Sequence, residues 1–156
     1  MIEALMVVAV GLLLGGMAIP IFGNAMKNYY QSATISAAAG AIQSTRFQAI
    51  MHGYPYQITF TSSTMSYQVY TESAGVSCPP AFSAVGNAVP LPSAGSVSMT
   101  GTTATFTFYA SGTVYGTVPT TSPCTPAAAP TLQIKNSVKS NTITVSGVGD
   151  VSISSP

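Results

Sequence analysis

Charge is what this sequence has least of. Four Lys or Arg and three Asp or Glu are spread over 156 residues, and the formal net charge is +1. Nucleic acid is held by a clustered basic surface, which four scattered cations cannot make. No nucleic-acid partner is therefore expected. There is no tryptophan, and His52 is the sole histidine. An enzyme needs titratable groups that converge. Arg46, His52, Glu72, Lys135, Lys139 and Asp150 follow no catalytic spacing. No G-x-S-x-G, no H-E-x-x-H and no glycine-rich loop opening a helix occurs. Calcium takes several oxygen ligands, carboxylates among them, and only Glu72 and Asp150 lie beyond the N-terminal run. The expectation is no enzyme, no metal and no cofactor.

Cysteine is also scarce. Cys78 and Cys124 both lie in proline-rich stretches, SCPPAF and TSPCTPAAAP, and neither has the C-x-x-C spacing of a redox or metal site. They read as one disulfide formed in an oxidising compartment. The alternative is two buried, inert thiols. What replaces charge is hydroxyl: Ser and Thr make up about a quarter of the chain. Such a surface offers little charge repulsion, so self-association is not discouraged.

What is present begins at the N-terminus, MIEALMVVAVGLLLGGMAIPIF. From Ala4 to Phe22 there are 19 residues without charge, enough for a helix to cross a hydrocarbon core. A cleaved secretory signal would carry basic residues ahead of this run, where Glu3 stands instead. An acid in an apolar medium costs about 3 kcal/mol on insertion scales, so it is expected to have a partner.

The helical pattern continues past the run. From Asn24 to His52 there is no proline and one glycine, Gly40. Ile35, Ala39, Ile42, Arg46 and Ala49 recur at spacings of three and four, with Ala38 and Ile50 beside them. HGYP, from His52 to Pro55, stops the helix. The expectation is one helix of about 50 residues. Residues 1–23 form its apolar projecting half, and 24–52 form an amphipathic half docked on a β domain over 55–156. Pro20, with Gly15 and Gly16 before it, should kink or locally melt the projecting half between Leu13 and Ile21.

After His52 the period changes to two. YQITFT and MSYQVYT read as a hairpin around SST. SVSMT, ATFTFYA, GTVYGTV, TLQIK, TITVSG and DVSIS read as further strands. The stretches from Glu72 to Gly95 and from Pro119 to Pro130, rich in Pro, Ala, Ser and Thr, read as loops. In TFTFYA, Phe106 and Phe108 face one way, and Phe47 from the helix is placed to join their core. The fold class is α+β: a long helix on about eight short antiparallel strands, in two layers.

These residues carry a resemblance. Glu3, the uncharged run and AIP resemble the N-terminal segment of type IV pilins and type II secretion pseudopilins. In that family a peptidase cuts after a glycine, the new N-terminus is methylated, and a proline follows the acid by seventeen residues, as Pro20 follows Glu3. Two residues precede Glu3 here where the family has four. Either two are missing from this chain or the cleavage site differs. The resemblance implies that Glu3 pairs with the N-terminal amine of a neighbouring subunit, and that Gly15, Gly16 and Pro20 belong to the assembly segment.

STRFQAIMHGYPYQITF, FTFYASGTVYG and TITVSGVGDVSIS resemble segments of H-type pseudopilins and FimT-type minor pilins. DNA-uptake members of the latter group carry arginines at the last hairpin. Here that turn reads GVGD, and no arginine follows Arg46. The resemblance implies partners: copies of the chain in a helical filament, the inner membrane before assembly, and a prepilin peptidase with assembly machinery. The neutral hydroxyl-rich surface favours a structural subunit of an extracellular type IV pilus-like filament, serving adhesion or motility. The alternative is an H-type minor pseudopilin of a type II secretion system, serving protein transport. A DNA-uptake pilin is disfavoured by the missing basic residues.

Overall fold

A computed structural model describes residues 2–72, 81–93, 95–116 and 127–155. Within the helix it describes only the backbone at positions 5, 14 and 17–20. Cys78 and Cys124 therefore lie outside the described residues.

One helix, α1, runs from Ile2 to His52. At about 1.5 Å per residue it is about 76 Å long. The expected stop holds. Gly53 takes φ +76°, and its N–H donates to Ala49 O at 3.1 Å. Glycine enters that left-handed geometry without steric cost and closes the last turn. The helical backbone also runs through Leu13 to Ile21, which corrects the expectation of a melted stretch there. Proline fixes φ near −65°, already a helical value, so it removes one hydrogen bond without unwinding its neighbours.

Nine strands follow: β1 Tyr56–Thr61, β2 Ser66–Thr71, β3 Ser83–Pro90, β4 Ser98–Met99, β5 Thr103–Phe108, β6 Val114–Tyr115, β7 Leu132–Lys135, β8 Ser140–Val145 and β9 Val151–Ser154. They form two antiparallel sheets, ordered β3-β2-β1-β5-β6 and β4-β7-β8-β9. The extra strand is β3, inside the stretch read as a loop. Its sequence SAVGNAVP holds Gly86 at φ +74° and no alternation, and it is exposed throughout. Pairing with β2 makes it a strand, through a register that shifts between Tyr67 and Val69.

The core lies where α1 meets both sheets. β1 alternates cleanly, burying Tyr56, Ile58 and Phe60. Ile58 sits between Val69 and Phe106 in register, and Phe60 meets Phe106 edge-on at 6.2 Å. Ile143 and Leu132 are paired and buried in the second sheet. The helix contributes Ile35, Ala38, Ala41, Ile42 and Ala49, close to the expected stripe. Phe47 is a correction: it is 62% exposed. It lies two residues from both Thr45 and Ala49, hence about 160° around the helix from each.

Polar groups fix the helix on its sheets. Gln31 is buried on α1, and its Nε2 reaches Asn141 Oδ1 at 3.0 Å and the carbonyl oxygens of Lys139 and Ile134 at 3.2 and 3.4 Å. Thr34 Oγ1 lies 2.6 Å from Pro92 O. Asn136 Nδ2 donates to Lys27 O at 3.3 Å. Buried amides are costly unless satisfied, so these contacts set which way the helix lies as well as holding it.

Candidate functional site

The first candidate surface is the apolar part of α1. Its described side chains are exposed from Ile2 to Phe22, Leu12 and Ile21 among them. A helix apolar on all sides is ordinarily covered by protein or lipid. Among the described residues no helix is long and apolar enough to cross a membrane. Glu3 lies in the first turn and is exposed, where a carboxylate suits the positive end of the helix dipole. Gly15 and Gly16 lie along the same half, with open space around each. Cover over Gly15 and Gly16 would have to come from outside the described chain.

The docked half places the titratable groups apart from one another. His52 ends α1 and stacks on Tyr54 at 5.6 Å and Tyr56 at 5.8 Å. Glu72 follows β2 and is buried, its N–H donating to Pro55 O at 3.1 Å. Asp150 is exposed in the β8–β9 turn, where its N–H donates to Ser146 Oγ at 3.0 Å. Lys135 and Lys139 are exposed at the β7–β8 turn. Among the described residues no three of His, Cys, Asp and Glu cluster as metal ligands would. What the described groups do is stack and cap: His52 lies on its tyrosines, and Asp150 closes its turn.

The structure joins the helix to the last hairpin through a contact invisible in the sequence. Arg46 on α1 lies over the β8–β9 turn and donates from Nη1 to Gly149 O at 3.3 Å. Gly149 has φ +86°, and a Cβ there would stand 2.5 Å from Arg46 Nε. The glycine of GVGD is thus the seat for the arginine stem. The turn signal was readable, but its partner 103 residues away was not.

Burial shifts two phenols outside the apolar run. Tyr109, in the β5–β6 turn, is raised above its ordinary 10.0 by burial, then by the negative charge of Glu72 and by Tyr115. Tyr56 is raised by burial and by its hydrogen bond with Tyr54, against a lowering contact with Thr71.

One comparison with known proteins gives a match. A family model described as Type II transport protein GspH matches residues 34–149. No curated protein and no solved structure matches.

The phenols give a pH prediction. A raised folded-state pKa means that the fold favours the protonated phenol. That stability is complete below about pH 10 and is lost as pH rises through the folded value. Chemical unfolding of the full chain in detergent should show a flat stability from neutral pH to about 10 and a decline above it. Tyr109→Phe should make that decline shallower. An unchanged slope would remove Tyr109 from the account.

Proposed function

Because the chain belongs to the GspH family, we propose that it is a minor pseudopilin, a pilin-like subunit of the fibre of a type II secretion system. The observation that carries this reading is the matched domain joined, without a break in the helix, to a bare apolar rod. The extracellular pilus subunit favoured by the hydroxyl-rich surface gives way to it. The family match covers residues 34–149, the docked helix and most of the β domain, whereas the N-terminal physics is common to both readings. The role is structural, and the process served is protein transport.

In this reading residues 1–23 are the assembly segment and 24–156 the domain that faces outward. The segment rests in the inner membrane until a prepilin peptidase and the assembly machinery deliver it to the fibre on the periplasmic side. There the apolar rods of neighbouring subunits cover one another. Glu3 meets the N-terminal amine of the next subunit in a medium of low dielectric. Such a pair specifies register more surely than it adds net stability. Gly15, Gly16 and Pro20 weaken the helix locally by about 1 kcal/mol per glycine and one missing hydrogen bond, which lets the rod bend as it packs.

The reading also retains a disulfide between Cys78 and Cys124. Two cysteines in proline-rich stretches, with no C-x-x-C spacing, pair readily in an oxidising compartment.

Two measurements test these proposals. Cells carrying Glu3→Ala should keep the chain in the membrane fraction but lose it from assembled pseudopili, with secretion reduced at least tenfold. Normal fibre content of the variant would overturn the pairing. Intact mass without reductant should be about 2 Da below the dithiol value, and two alkylatable thiols would exclude the bond.

A further inference from the structure

We propose that the groove between the last turns of α1 and the β8–β9 turn docks a carboxylate-bearing segment of a different subunit of the same fibre, with Arg46 as its anchor. The identity of the partner rests on the pseudopilin reading above. The carboxylate chemistry rests on the groove.

The groove encloses about 300 Å³ and is lined by Gln43, Arg46, Phe47 and Ile50 of α1 and by Gly149, Asp150 and Val151 of the last hairpin. Arg46 is held from beneath. Its stem lies on Gly149, and its terminal nitrogens approach Gly112 of the β5–β6 turn. A guanidinium has five N–H donors. Among the described residues Arg46 uses one, to Gly149 O, and its Nε is buried with no hydrogen-bond partner. A buried charged donor left unmade is costly, and native structures retain such groups where something else completes them. A planar fork with free donors matches a carboxylate, which accepts two of them side by side.

The walls say what accompanies that carboxylate. Phe47 and Ile50 are exposed at the groove, and Met51 and Val148 are also among the exposed large hydrophobic side chains. An arginine beside an aromatic on a desolvated floor is the usual composition of an energetic centre at a protein interface. A segment with one acid next to an apolar side chain fits both features. Nucleic acid does not. The site has one cation and the chain a net charge of +1, too little to hold a phosphate backbone, whereas a single carboxylate needs one fork.

Charge complementarity also decides between a second copy and another chain. The sequence has three acids. Glu3 lies in the assembly segment, Glu72 is buried, and Asp150 lines the groove itself. Asp150 is exposed, but it is a wall of the groove: its N–H donates to Ser146 Oγ at 3.0 Å, and its carbonyl oxygen accepts from Ser146 N–H at 2.9 Å. A second copy could offer that acid only by laying its own groove against this one, so a carboxylate carried into the groove on an apolar segment comes from a chain of different sequence.

The test uses the full chain in detergent micelles, titrated with each of the other purified subunits of its own fibre. One of them should bind with an affinity that falls as salt rises. Arg46→Gln should weaken that binding at least thirtyfold, Arg46→Lys by less, and Phe47→Ala by about tenfold. Unfolding midpoints of the variants serve as the control for folding. Arg46→Glu should be rescued by an acid-to-lysine change in the partner segment, which no loss of folding could mimic. Binding that ignores Arg46 would overturn this inference and leave the pseudopilin reading standing. Self-association or capture of a DNA oligonucleotide as the sole Arg46-dependent binding would overturn the stated partner. If no fibre subunit binds the wild-type chain, this inference falls. The pseudopilin reading falls only if the chain is also missing from isolated fibres.

Discussion

A long apolar rod with nothing around it is the constraint on which the rest of this molecule depends. The helix begins in side chains that water does not tolerate in bulk, and it continues unbroken into a half that is docked on two sheets. The free energy of leaving a leucine or valine exposed is about 1.5–3 kcal/mol each. Over the first half of α1 that sums to more than the net stability of a typical domain. The rod must therefore be covered, in the proposed reading by lipid first and by neighbouring subunits afterwards. The absence of charge between Ala4 and Phe22 follows from the same requirement, because each charge there would need its own partner.

The docked half converts that cover into a fixed geometry. A rod that rotated or slid on its domain could not present the same face to each neighbour. The apolar stripe of α1 supplies the attraction, but apolar contact alone has little directional preference. Direction comes from Gln31 and Thr34, which donate to backbone carbonyls of Lys139 and Pro92, and from Asn136, whose side chain donates to the Lys27 carbonyl of the helix. At the other end Arg46 rests on Gly149. The helix is thus clamped by polar contacts near both ends of its docked span, with the Phe60–Phe106–Ile58 core between them.

Much of this was legible from local pattern. Helix α1, strand β1 and the final hairpin carry their own signals: period 3.6, period 2, and Gly53 or the GVGD turn as stops. What was not legible depends on distant partners. β3 has small residues and a glycine where a strand would alternate, and β2 alone makes it a strand. Phe47 fell outside the core because it lies on the far side of the helix from the buried stripe of Ala38, Ile42, Thr45 and Ala49. The Arg46 groove joins residues more than a hundred positions apart, and neither part of it is unusual by itself. The family was readable in domain segments such as FTFYASGTVYG, whereas the choice between fibre types rests on the match over residues 34–149.

In the proposed reading the chain is one structural, minor subunit of a periplasmic fibre. The sharpest consequence of that reading is stoichiometric. Quantitative mass spectrometry of pseudopili isolated from cells expressing the chain at its native level would count it against the other subunits. The account predicts that the chain is present, as a small fraction beside one dominant subunit. Fibres composed mainly of this chain, or fibres lacking it altogether, would contradict it.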